Sequence, residues 1–132
     1  MVGRFVWEGA VYGTAEALLL ATLPVLAVWQ GAAALGWTVG WWEKVGSGSL
    51  ALVGALVVIA VHHLGYREFR GPAGRTNLMG ALVACGVQAL AFLLTGSVLA
   101  PIVAHIVLHG QLLVRGIALP PESHAGLSPA HG

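Results

Sequence analysis

Charge is what this chain lacks most. Only 8% of its 132 residues are Asp, Glu, Lys or Arg, against about 25% in a soluble domain. Hydrophobic residues make up 58%, and the mean hydropathy is +0.85. That composition cannot supply a water-soluble surface, so the chain reads as a membrane protein, with a length that suits one small domain of a few helices. A net charge of +1 excludes a basic face for nucleic acid. The single cysteine, Cys85, excludes an internal disulfide and reads as a small buried hydrophobe.

What remains is a series of long apolar runs. The fold class they predict is all-α, a polytopic membrane four-helix bundle over residues 1–117, followed by a disordered cytoplasmic tail over 118–132. The first span runs from Trp7 to Trp29, about 34 Å of helix, enough to cross a ~30 Å hydrocarbon core. It is too long for a signal-peptide core and contains Glu16, so it reads as a permanent span, with Trp7 and Trp29 as interfacial anchors and Pro24 as a kink. Residues 30–48, with Trp37, Trp41, Trp42 and a Gly-Ser-Gly-Ser stretch, read as an interfacial segment and a flexible turn. The second span is Ser49 to Tyr66. A polar loop, Arg67 to Asn77, ends in Thr76-Asn77 as a helix N-cap. The third span is Leu78 to Leu94. A tight turn at Thr95-Gly96-Ser97 leads into the fourth, Val98 to Val114. The tail from Leu119 carries Pro120, Pro121 and Pro129, and no role is assigned to its His124 and His131.

With four spans, Arg4, Arg67, Arg70, Arg75 and Arg115 fall on one side and Lys44 alone on the other. This bias predicts a multi-pass protein with both termini cytoplasmic. Small residues predict packing faces: Gly9 and Gly13, four apart, for a close helix pair or self-association into a homo-oligomer, and Gly80, Ala84 and Gln88 on one face of the third span. Gln88 is placed to hydrogen-bond across the bundle.

Four polar residues sit deep in the apolar runs: Glu16, His63, His105 and His109. Ionisable groups at mid-bilayer cost roughly 2.5–3.5 kcal/mol for Asp, Lys or Arg on insertion scales, and usually face a bundle interior where they do something. Helical rise places all four in the cytoplasmic half, within a layer about 10 Å thick. His105 and His109 are an i, i+4 pair on one face, with Ser97 and Pro101 extending the row. His62 and His63 diverge by about 100° on a helix, so only one is expected to face the site, and His63 is favoured. A carboxylate with several imidazoles is the equipment for activating water or holding a divalent metal such as zinc.

In this order, these residues resemble the CPBP family of intramembrane endopeptidases, which includes the CAAX-prenyl proteases and bacteriocin-immunity-type relatives. The family's EExxxR motif corresponds to Glu16-Ala-Leu-Leu-Leu-Ala21, its FxxxH motif to Ile59-Ala-Val-His-His63, and its HxxxN motif to His105-Ile-Val-Leu-His109. The approach Leu94-Thr-Gly-Ser-Val-Leu-Ala-Pro-Ile-Val-Ala-His105 is the most specific stretch, and the resemblance covers residues 8–116. Ala17 and Ala21 stand where the motif has Glu and Arg, Ile59 where it has Phe, and His109 where it has Asn.

The resemblance implies the core of the CPBP intramembrane protease fold and peptide hydrolysis in or near the bilayer, acting on a membrane-associated peptide or protein. Glu16 would activate the water and His63 would hold or polarise it. His105 and His109 would bind the oxyanion or, with His63, a divalent metal, with Glu16 as base rather than ligand. Two other readings stand beside it: a non-catalytic membrane adaptor or immunity protein on the same scaffold, and a bundle holding a bis-His haem.

Overall fold

The computed structural model describes Gly3 and residues 5–115. The expected tail beyond residue 117 and the Arg4 charge lie outside the described residues. Among those described, the chain is helical throughout, joined by short turns. The first rod, α1, runs from Phe5 to Ala34. Its ladder is π-bonded over Phe5–Tyr12, α over Gly13–Glu16, π over Ala17–Thr22 and α again over Leu23–Ala34. The Thr22 hydroxyl donates to the Ala17 carbonyl (3.3 Å) inside the second π stretch. Pro24 falls in the first turn of the last α segment, so the rod continues through it.

Helix α2 is Trp41–Leu64, so most of the segment 30–48 is helical, and the Gly-Ser-Gly-Ser stretch expected as a flexible turn lies inside a helix. Only residues 35–40 leave the helical path. Glu43 explains the early start, because its carboxylate accepts the Gly40 N–H and so closes the first turn. The hydroxyls of that stretch bond back to earlier carbonyls. Ser47 donates to the Trp37 carbonyl (2.7 Å) and Ser49 to the Val45 carbonyl (2.9 Å).

A short 3₁₀ turn, Arg67–Phe69, leads to α3, Gly71–Thr95. The helix begins well before Thr76-Asn77, which do not cap it. Pro72 stands in the first turn, where a missing N–H costs nothing. The Arg70 guanidinium donates to the Leu64 (2.6 Å) and Gly65 (3.0 Å) carbonyls, satisfying the end of α2.

The Thr95-Gly96-Ser97 turn forms as expected. Gly96 adopts φ 65° and its N–H bonds the Phe92 carbonyl at 2.8 Å. Gly96→Ala should therefore cost about 1–2 kcal/mol, the penalty of a Cβ in the left-handed region. Unfolding of the detergent-solubilised protein in graded SDS checks this, and unchanged stability would refute it. Helix α4 is Leu99–Val114.

Among the described residues, three stretches are long and apolar enough to cross a membrane: Ala10–Ala34, Trp41–Leu64 and Gly74–Thr95. The apolar part of α4, Leu99–Gln111, is shorter. The whole of α4, 16 residues, reaches only about 24 Å.

The surface distribution is that of a protein solvated by lipid. Val53, Val57 and Val61 on α2, Val83 and Val87 on α3, and Leu99, Val103 and Val107 on α4 are exposed, four apart, as apolar stripes. The interior combines many small and polar residues, Ala17, Ala21, Ala51, Ala55 and Ala89 with Thr22, Ser47, His63, Gln88, His105 and His109, with a few larger apolar ones, Leu20, Val25, Ile59 and Phe92. Cys85 is buried with Leu20 and Ile59.

Helix α1 ties the bundle together. Its first half packs on α4, Ala17–Thr22 on α3, and Leu23–Ala34 on α2. Gly13 is buried against His105, so this glycine brings α1 to α4 and is not available for self-association. Gly80 is exposed and meets nothing within 4 Å, and the buried face of α3 runs instead through Cys85, Gln88, Ala89 and Phe92.

Candidate active site

Glu16 lies where α1 changes from α to π bonding, a kind of register change frequent at functional sites. Its carboxylate, 9% exposed, points into the bundle. Oε2 is 3.0 Å from His105 Nε2 and 3.5 Å from His109 Nε2. Oε1 is 3.7 Å from His62 Nε2 and 4.0 Å from His63 Nε2. All four residues singled out from the sequence thus meet, with His62 added.

The expectation that only one of the adjacent histidines faces the site is overturned. Their directions diverge, but the carboxylate lies between them, and an imidazole on a Cβ stem is long enough for both rings to reach it. The His62 side chain is 34% exposed. Its Nε2 is nevertheless buried and has no hydrogen-bond partner.

Two rings are held by bonds at Nδ1. His63 Nδ1–H donates to the Ile59 carbonyl of its own helix (2.8 Å), and His105 Nδ1–H donates to Gln88 Oε1 on α3 (2.7 Å). A neutral His63 thus presents a bare Nε2 lone pair, whereas His105 Nε2 meets Glu16 Oε2, an acceptor, at 3.0 Å, a contact that needs a second ring proton or a cation between the two atoms. His105 Nε2 also faces His109 Nε2 at 3.1 Å. Lone pairs on two imidazoles and a carboxylate oxygen crowd one point, and an added proton or a cation relieves that repulsion.

The wall of the site is aromatic. Tyr12 stacks on His109 (centroids 5.8 Å apart, planes at 24°), Tyr66 meets His62 edge-on at 5.4 Å, and Phe69 meets His63 edge-on at 4.8 Å. Tyr12 and Ile59 were not recognised as site residues. Each stands four residues before one, Glu16 and His63, so helical spacing alone could have placed them. Phe69 carried no such signal, since its position depends on the 3₁₀ turn.

The metal set expected from the sequence, His63, His105 and His109, is not the one that clusters. Among the described residues, ligand atoms of Glu16, His105 and His109 lie within 4.8 Å of one another, and His63 stands on the other carboxylate oxygen. The Glu16 carboxylate stands between His63 and His105, 4.0 and 3.0 Å from their Nε2 atoms. The search for relatives found no matching protein-family model, curated protein or solved structure.

Proposed function

We propose that this chain is a membrane-embedded endopeptidase of the CPBP type, built on a four-span core, with the termini and the α2–α3 turn on the cytoplasmic side. The observation that carries the reading is a single carboxylate inside an apolar bundle, ringed by four imidazole Nε2 atoms at 3.0–4.0 Å. A buried Glu with nothing to do would be a net cost to the bundle.

In the proposed reaction, water sits at the Oε1 side, held by His63. Glu16 takes one of its protons as the oxygen attacks the peptide carbonyl. His109 and His105, the latter in its imidazolium form because Nδ1–H is already committed to Gln88, donate to the developing oxyanion. The C–N bond then breaks, and Glu16 passes its proton to the leaving amine.

The test is cleavage of bilayer-anchored peptides by protein reconstituted in liposomes. The wild type should cleave, and His105→Ala should lower the rate at least about 100-fold, the lower range for losing a charge-stabilising donor. Wild-type protein that cleaves none of a broad peptide set would refute the reading. The second reading, a non-cleaving adaptor on the same scaffold, is favoured by Ala17 and Ala21. Both are only 1% exposed and packed as core, where the resembled motif carries charge.

A further inference from the structure

We propose that Glu16 Oε2, His105 Nε2 and His109 Nε2 form a three-ligand site for a divalent transition-metal ion of the zinc type. The inference rests on donor geometry and does not require peptidase activity.

The three atoms are separated by 3.0, 3.5 and 3.1 Å. Ligands about 2.0–2.1 Å from a tetrahedral zinc ion are about 3.3 Å apart, the edge of that tetrahedron. The three donors therefore already stand at the spacing of a triangular face. The same closeness calls for either a proton on one Nε2 or a cation among the three atoms, because a neutral His105 would aim a lone pair at both neighbours.

The support around the donors fits as well. A metal-ligating His generally gives its other ring N–H to an oxygen that fixes the tautomer. His105 Nδ1–H does this at Gln88 Oε1, on a third helix (2.7 Å). Tyr12 stacked on His109 restrains the second ring, and Gly13 of α1 lies beside the His105 ring.

Two imidazoles and one carboxylate select zinc-like ions over magnesium or calcium, which take oxygen ligands. Three protein ligands leave a fourth position open, the pattern of a catalytic rather than a structural zinc. His62 Nε2, buried and without a hydrogen-bond partner 3.7 Å from Oε1, is available to a water in the cluster. When bound, such an ion would acidify a coordinated water to about neutral pH, and Glu16 would hold it through Oε2 while keeping Oε1 for a proton.

The test uses untagged full-length protein in detergent, stripped with EDTA and dialysed against Zn²⁺ or Co²⁺. One zinc per chain should remain after removal of excess ion, and the cobalt form should show the visible absorption of a four-coordinate site. His109→Asn keeps a hydrogen-bonding side chain but removes a ligand, and should weaken binding at least 100-fold. Gln88→Ala keeps all three ligands and should weaken it about 10–100-fold. Changing the tail residues His124 and His131 together to Ala should leave binding unchanged. Circular dichroism confirms that each variant is folded.

A wild type that retains no zinc would overturn the site. So would equal retention in His109→Asn and Gln88→Ala, or loss of the ion in the tail variant. Zinc bound without any peptide cleavage would leave this inference standing and remove the peptidase reading. Cleavage by protein that retains no zinc would do the reverse.

Discussion

Glu16→Gln is expected to lower peptide cleavage by about 10²–10⁴-fold, the usual contribution of a positioned general base, while leaving the bundle at least as stable as the wild type. The two halves of that expectation have one origin. A carboxamide cannot accept the proton of the attacking water, so the chemical step loses its base. Its NH₂ group can donate to the Nε2 lone pair of a neutral His105, so the 3.0 Å contact with His105 persists without the second ring proton that the carboxylate needs. Removing a charge from the bundle interior also removes a desolvation cost.

Initial rates of peptide cleavage in liposomes measure the first half, and SDS or thermal unfolding in detergent measures the second. Cleavage by Glu16→Gln at more than a tenth of the wild-type rate would exclude Glu16 as the base. A variant that fails to fold would mean that the carboxylate is a structural tie between α1 and α4.

Gly74→Ala carries the largest expected effect on stability. Gly74 is buried in the first turns of α3, against the backbone of Phe69. A Cβ there would overlap the Phe69 carbonyl group and Cα, and these are main-chain atoms that cannot rotate aside. Overpacking of this kind costs typically 1–3 kcal/mol.

The damage should extend beyond the turn. Phe69 packs edge-on against His63, and Arg70, one residue later, holds the Leu64 and Gly65 carbonyls at the end of α2. Displacing this turn loosens both the end of α2 and the ring beside Glu16. Trypsin should then cut faster at Arg67 and Arg70, and the unfolding midpoint should fall. Wild-type trypsin kinetics together with wild-type stability would show that the close approach is not a constraint. A Gly13→Ala variant is the matched control, since its Cβ would meet His105 only at ordinary contact distance, 3.6 Å.

Much of the helical layout was readable from residue order. Apolar runs of membrane length, a glycine at the α3–α4 turn and a glutamine facing the bundle each follow from local chemistry, and each is present in the folded chain. The misplaced boundaries share a cause. The start of α2 depends on the Glu43 carboxylate closing back on Gly40 and on Ser47 reaching Trp37 ten residues away. The start of α3 depends on Arg70 and on the fit of Gly74 against Phe69. Composition reads Gly-Ser-Gly-Ser and Gly-Pro as loop. It cannot see the capping and tertiary bonds that set where these helices begin.

The site divides in the same way. Polar side chains in lipid-length helices are conspicuous because burying them is expensive, so Glu16, His63, His105 and His109 could be picked out one by one, with the i, i+4 pair on a shared face. Which carboxylate oxygen meets which ring, and whether His62 takes part, is set by contacts between distant residues, such as Glu16 and His105, 89 positions apart. Those contacts follow from how α1 packs against α4 through Gly13 and how Gln88 turns His105. Helical periodicity orders residues around one axis and carries no information about the rotation of one rod against the next. That rotation is decided by side-chain packing, which exists only once the helices have come together.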